Sequence, residues 1–155
     1  MLSRAFFSAL ILLPLAAQPN DKPAVPKVVF VCEHGAAKSV IAAKELEKLA
    51  RERGIQVQAV ARGTSPEPEI GASVRQGLKA EGIEVGNMTP VKVKPEDLRN
   101  ATLVVSFGPD LSALSSKVKP QDWSATPAVG ENYQAARDYI VKRVEALLDQ
   151  LAAKH

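Results

Sequence analysis

Apolar residues fill 28–31 without a break, stop at Cys32, and give way to a small-residue stretch before a helical pattern opens at Lys38–Ser39. A continuous run of this kind reads as a strand buried on both faces, here over 27–31. Ala42, Leu46, Leu49 and Ala50 then fall at i, i+4, i+7 and i+8, one face of a helix. Arg51 and Arg53 suit its C-terminal end, and Gly54 suits the left-handed residue just beyond it. Ile55 to Ala61 alternates and predicts a second strand, parallel to the first because a helix joins them.

Arg62 to Pro66 reads as a loop, and Ile70, Val74 and Leu78 as a second helix ending at Gly82. Residues 86–90 read as irregular. Pro95-Glu96-Asp97 has the composition of a helical first turn, with proline early and acids at the positive end of the dipole. Residues 102–107 predict a third buried strand, 110–116 a short helix, and 118–123 a poorer fourth strand interrupted by Pro120. Ala136, Ile140, Val144, Leu147 and Leu151 predict a long closing helix. Strands alternating with helices define an α/β domain whose four-stranded parallel sheet is covered on both faces. No internal repeat and no second domain is legible.

The N-terminus stands apart from this pattern. Arg4 precedes an apolar segment, Ala5 to Leu13, and a small-residue exit, Leu15-Ala16-Ala17. These features predict a signal peptide over 1–17 and an exported protein, periplasmic or secreted. The alternative is an uncleaved anchor, although the apolar run is short for a membrane span. Residues 18–26 carry Pro19, Pro23 and Pro26 and read as a flexible lead-in to a domain over 27–155. Of the 155 residues, 46% are apolar and 24% charged, with a formal net charge of +3. So mild a balance gives no case for nucleic acid or an anionic membrane as partner. With one cysteine, no internal disulfide can form. Cys32 is either a buried, inert thiol or a reactive one.

The chemistry concentrates in 32–39. Ligands of parallel sheets bind beyond the carboxyl ends of the strands. There Gly35, Ala36 and Ala37 let the backbone of Glu33 to Lys38 curl and aim its N–H groups inward, toward an oxyanion such as phosphate or arsenate. The helix dipole starting near Ser39 adds to that field, which also favours a nucleophilic thiolate at Cys32. Lys38 supplies a charge at the rim, and the Ser39 hydroxyl a donor to the thiolate or a leaving group. His34 reads as a loop hydrogen-bonder or a neighbour of the thiolate. The other histidine is His155, so a metal site is not expected, and no cofactor is implied. A nucleotide P-loop is excluded because Cys32 and Ala37 stand where its two glycines belong.

Val-Phe-Val-Cys-x5-Lys-Ser resembles the loop of the low-molecular-weight protein tyrosine phosphatases and of the arsenate reductases that share their fold. Cys32, His34, Ala36 and Ala37 are closer to the arsenate-reductase form. Gly63-Thr64 after the second strand and Thr126-Pro127-Ala128 before the last helix extend the resemblance across 27–151. It implies a three-layer, flavodoxin-like domain and a Cys-dependent phosphatase acting on phosphate monoesters through a thiophosphate intermediate. Cys32, Lys38 and Ser39 would be its catalytic residues, and a small oxyanion or phosphorylated molecule its partner. Two departures stand out. The family carries Arg where Lys38 stands, and Lys cannot form the bidentate fork of a guanidinium. The family also carries an acidic Asp where Thr126 stands; Asp122, four residues upstream, is the nearby candidate to replace it. Arg62 could fold toward the loop in place of the lost guanidinium, or lie solvated at the strand exit. Ser106-Phe107-Gly108 lies where a second cysteine would be expected in thioredoxin-linked arsenate reductases. The alternatives are therefore a weak or inactive oxyanion-binding domain, and an arsenate reductase drawing on an external thiol.

Overall fold

The computed structural model describes residues 24–114 and 117–154. The segment read as a signal peptide, most of the lead-in and His155 lie outside the described residues. β1 (Lys27–Cys32) lies at the centre of a fully parallel sheet, between β2 (Gln58–Gly63) and β3 (Leu103–Ser106), with β4 (Gln121–Asp122) beyond β3. The order β2-β1-β3-β4 makes the fold flavodoxin-like, and it has a direct consequence for function. The chain leaves β1 in one direction to form β2, then returns across it to form β3. The topological switch therefore falls at the carboxyl end of β1, where Cys32 and its loop begin.

The period-2 geometry of β1 divides the core. Val28 and Phe30 face the cluster built by α1 (Lys38–Glu52), α2 (Ala72–Ala80) and α4 (Tyr133–Ala152). Val29 and Val31 face a thinner layer made of Val93, Leu111 and Leu98 of α3 (Pro95–Arg99). Phe30, Phe107 and Trp123 pack together at the first face, with ring centroids 5.8–6.5 Å apart. Each such pair adds about 0.5–1.5 kcal/mol beyond its area. Through Phe107 and Trp123 this cluster fixes the loops that follow β3 and β4.

Several boundaries differ from the periodicity. β2 starts at Gln58 rather than Ile55, because the Ile55 amide is spent on the Ala50 carbonyl closing α1, beside Gly54 at φ +67°. At its other end β2 takes in Arg62 and Gly63, expected in a loop, because parallel pairing carries Cys32 opposite Gly63. β4 shrinks to two residues after Pro120, which has no N–H for the ladder. The helix expected over 110–116 is a single 3₁₀ turn, Ser112–Leu114, with 115–116 outside the described residues. α4 starts at Tyr133, where the Asn132 side chain accepts the Ala135 amide at 2.9 Å.

Candidate functional site

The loop between β1 and α1 is held by its carbonyls. Cys32, Glu33, His34 and Ala36 accept from the amides of Thr64, Ser65, Glu67 and Gly71 at 2.8–3.2 Å, along the segment after β2. Gly35, at φ +61°, completes the curl, and its backbone lies directly against that of Gly63. A Cβ on Gly63 would come within 2.6 Å of the Gly35 nitrogen, so this approach requires glycine. Gly63→Ala should cost about 1–3 kcal/mol by overpacking. It should also displace the loop, which denaturant titration and hydrogen exchange of the Thr64 and Ser65 amides will separate; unchanged exchange of those amides would contradict this role.

With these carbonyls taken up by the segment after β2, the loop amides remain for another acceptor. Among the described residues, none of the backbone N–H groups from His34 to Val40 donates to a protein acceptor. Three of them, at Lys38, Ser39 and Val40, are the first-turn amides of α1. That helix has no side-chain cap and no acidic residue in its first turn. Free amides at the positive end of a 15-residue helix form a field suited to an anion.

Cys32 sits at the base of this arc, 7% exposed, with its sulfur 3.1 Å from the Ser39 hydroxyl. Ser39 is fully buried, so the hydroxyl is fixed beside the sulfur. A cleft of about 300 Å³ opens at the thiol, bounded by Lys38, Phe107 and Ala128–Gly130. Cys32, Ala37, Lys38, His34 and Glu33 thus share one cleft, while Gly35 and Ala36 shape the loop from beneath. Half-exposed His34 lies at the rim, with Nδ1 3.4 Å from Glu67 and Nε2 3.8 Å from Glu33. It is a carboxylate neighbour here rather than a partner of the thiol.

Lys38 occupies the rim, but its ammonium donates to the Thr126 carbonyl at 2.7 Å. Thr126 is buried, and its hydroxyl donates to the Trp123 carbonyl at 2.7 Å, away from the cleft. Asp122 does not replace the missing acid. It lines a separate cleft of about 470 Å³ beyond β3 and β4. The hydroxyl and amide of Ser124 hold its carboxyl below the ordinary value, so it stays ionised at neutral pH. Both readings of Arg62 are also corrected. Its guanidinium neither reaches the loop nor lies solvated, but forms a fork on Asp97 at 3.0 and 3.1 Å. Burial alone would raise the Asp97 carboxyl. Hydrogen bonds from Arg62 and the Lys94 amide outweigh that and hold it below the ordinary value.

Phe107, Gly63 and the Val129–Gly130 wall complete the site and were not read from the sequence as site residues. Gly63-Thr64 was legible as a motif, but its steric reason lies in a glycine 28 positions earlier in the chain.

The family profile of the PTS system lactose/cellobiose specific IIB subunit matches residues 27–74, the β1-α1-β2 portion and the start of α2. A Halobacterium salinarum protein provisionally assigned as an arsenate reductase is 26% identical over 130 residues, 80% of this chain and 92% of its own. Among solved structures, YfkJ from Bacillus subtilis superposes with a TM-score of 0.76 at 16% identity, over 86% of this chain and 98% of its own. The low-molecular-weight protein tyrosine phosphatase from T. tengcongensis gives 0.69 at 18% identity, over 81% and 99%. An arsenate reductase in the phosphate binding state gives 0.66 at 19% identity, over 81% and 98%. The chain therefore has the fold shared by low-molecular-weight protein tyrosine phosphatases and arsenate reductases.

Proposed function

We propose that this protein is a Cys-dependent phosphoryl-transfer enzyme, of the phosphatase type, that works without a general acid. The supporting observation is the thiol of Cys32 beside the buried Ser39 hydroxyl, at the base of an arc of free amides. The Cys32 sulfur attacks phosphorus while the amides, with the Lys38 ammonium at the rim, carry the equatorial oxygens. The bond from phosphorus to the leaving oxygen breaks, and that oxygen departs with the electron pair. Ser39 donates toward the sulfur and steadies it as the thiolate. Water then attacks phosphorus, releasing inorganic phosphate and restoring Cys32.

Thr126 cannot supply a proton at neutral pH, and ionised Asp122 faces another cleft. A general acid contributes about 10²–10⁴ in rate where the leaving group needs one. Turnover is therefore expected with aryl phosphates whose phenols are acidic, falling steeply as the phenol becomes less acidic and vanishing with alkyl phosphates. Steady-state rates across such a series test this. A flat dependence would mean that another group donates the proton, and no turnover with any ester would overturn the enzyme reading.

A second reading, oxyanion binding without turnover, draws support from the engagement of Lys38 by a carbonyl. Phosphate binding without hydrolysis of any aryl ester would favour it. The Halobacterium relative motivates a third, arsenate reduction. It would need an external thiol as the two-electron donor, and arsenite formed only when that thiol is supplied would identify it.

A further inference from the structure

The two departures from the phosphatase motif, Lys38 and Thr126, meet in one hydrogen bond. The Lys38 ammonium donates to the Thr126 carbonyl at 2.7 Å, across 88 positions of sequence. Among the described residues it is paired with no carboxylate, although it stands at the mouth of the amide arc. An ammonium has three tetrahedrally disposed donors and can serve acceptors in different directions. A guanidinium committed as a planar fork to an anion has less freedom to do so.

The segment that Lys38 reaches is otherwise lightly held. From Ser124 to Asn132 it forms turns without regular structure. Its bonds run from the Ser124 amide to Asp122 and from the Thr126 amide and hydroxyl to Trp123, then from the Glu131 and Asn132 amides to Ala128, with Asn132 accepting from the Ala135 and Ala136 amides of α4. Val129 is its buried apolar anchor. The same segment supplies the Ala128–Gly130 wall of the cleft over Cys32.

We propose that Lys38 is a positioning residue bridging the bound oxyanion and the 124–132 segment, so that filling the loop orders the wall of the cleft. This rests on the anion-site reading above. One N–H stays on the Thr126 carbonyl while a second turns to an anion oxygen. The negative charge strengthens the bridge, and the wall closes against the anion. The coupling is reciprocal: whatever ordering the anion gains from the bridge, the bridge returns as affinity for the anion.

Hydrogen exchange of the 124–132 amides in the full chain, with and without saturating inorganic phosphate, tests this beside calorimetric phosphate titration. In the wild type, phosphate should slow exchange of these amides by about 5- to 150-fold, the usual span of such couplings. Lys38→Met keeps the apolar stem and removes the donors. It should bind phosphate more weakly by a similar factor and show no slowing, even at phosphate concentrations raised to saturate it. A merely structural Lys38 would give faster exchange in the variant with and without phosphate, leaving the phosphate-induced slowing intact; that result overturns the bridge. Phosphate binding to the wild type without any slowing also overturns it, while the anion site stands. Absence of phosphate binding to the wild type removes the anion site and the bridge together.

Discussion

Replacing Arg137 with methionine should destabilise the protein by about 3–5 kcal/mol at pH 7.5, the cost of leaving the buried Glu45 and the partly buried Glu81 without their cation. Its guanidinium, on α4, meets Glu45 of α1 at 3.2 Å and Glu81, just beyond α2, through two nitrogens at 2.6 and 2.9 Å. Glu45 is 1% exposed, and Tyr133 donates to Glu81 at 3.3 Å. One cation thus holds three helices on the face of the sheet that carries the site. Burial, followed by the hydrogen bond and charge of Glu81, pushes the Glu45 carboxyl up to about 7. The folded state therefore binds a proton that the unfolded chain has released. The stability this contributes is complete below about 4.5 and is lost as pH rises toward about 7. Glu45→Gln should flatten that part of the pH–stability profile. Arg137→Met should lose less at pH 5 than at pH 7.5, because the carboxyl can be neutral there. A loss under about 1 kcal/mol at pH 7.5, the level of an exposed ion pair, would show that Glu45 and Glu81 do not depend on Arg137.

The second large effect is at the thiol. Cys32→Ser replaces the sulfur with a hydroxyl that stays protonated at neutral pH, and turnover of aryl phosphates should fall below detection. The amide arc does not depend on the Cys32 side chain, so phosphate affinity should change little. Steady-state kinetics and phosphate titration of the same preparation separate the two. Residual hydrolysis at the wild-type rate would remove Cys32 from the chemistry. Loss of phosphate binding together with activity would show instead that the substitution had disturbed the loop.

The core of this site was legible because local rules agree there. An apolar strand that stops at a cysteine, small residues, and a helix beginning at Lys38–Ser39 admit few arrangements, and the flavodoxin-like sheet places them at its switch point. What the sequence could not convey was where long side chains go. Lys38 finds a backbone carbonyl, which carries no residue-type signature at all. Arg62 had two expected fates and took neither, since its acceptor Asp97 comes from a helix 35 positions away. The helical pattern of α1 was read from its apolar residues. Glu45 lies buried among them, with Arg137 of α4 and Glu81 as its partners. Strand ends slipped for a related reason: alternation from Ile55 marks a strand, but the closing turn of α1 claims its first residue.

The central claim, that Cys32 takes the phosphoryl group while the loop amides hold its oxygens, is tested most directly by quenching the protein in acid during turnover of an activated aryl phosphate and locating the phosphoryl group by peptide mass analysis. Its presence on the Cys32 sulfur, and its absence in Cys32→Ser, is the predicted result. A phosphoryl group on another residue, or turnover with none trapped under conditions where product release is slow, would contradict it.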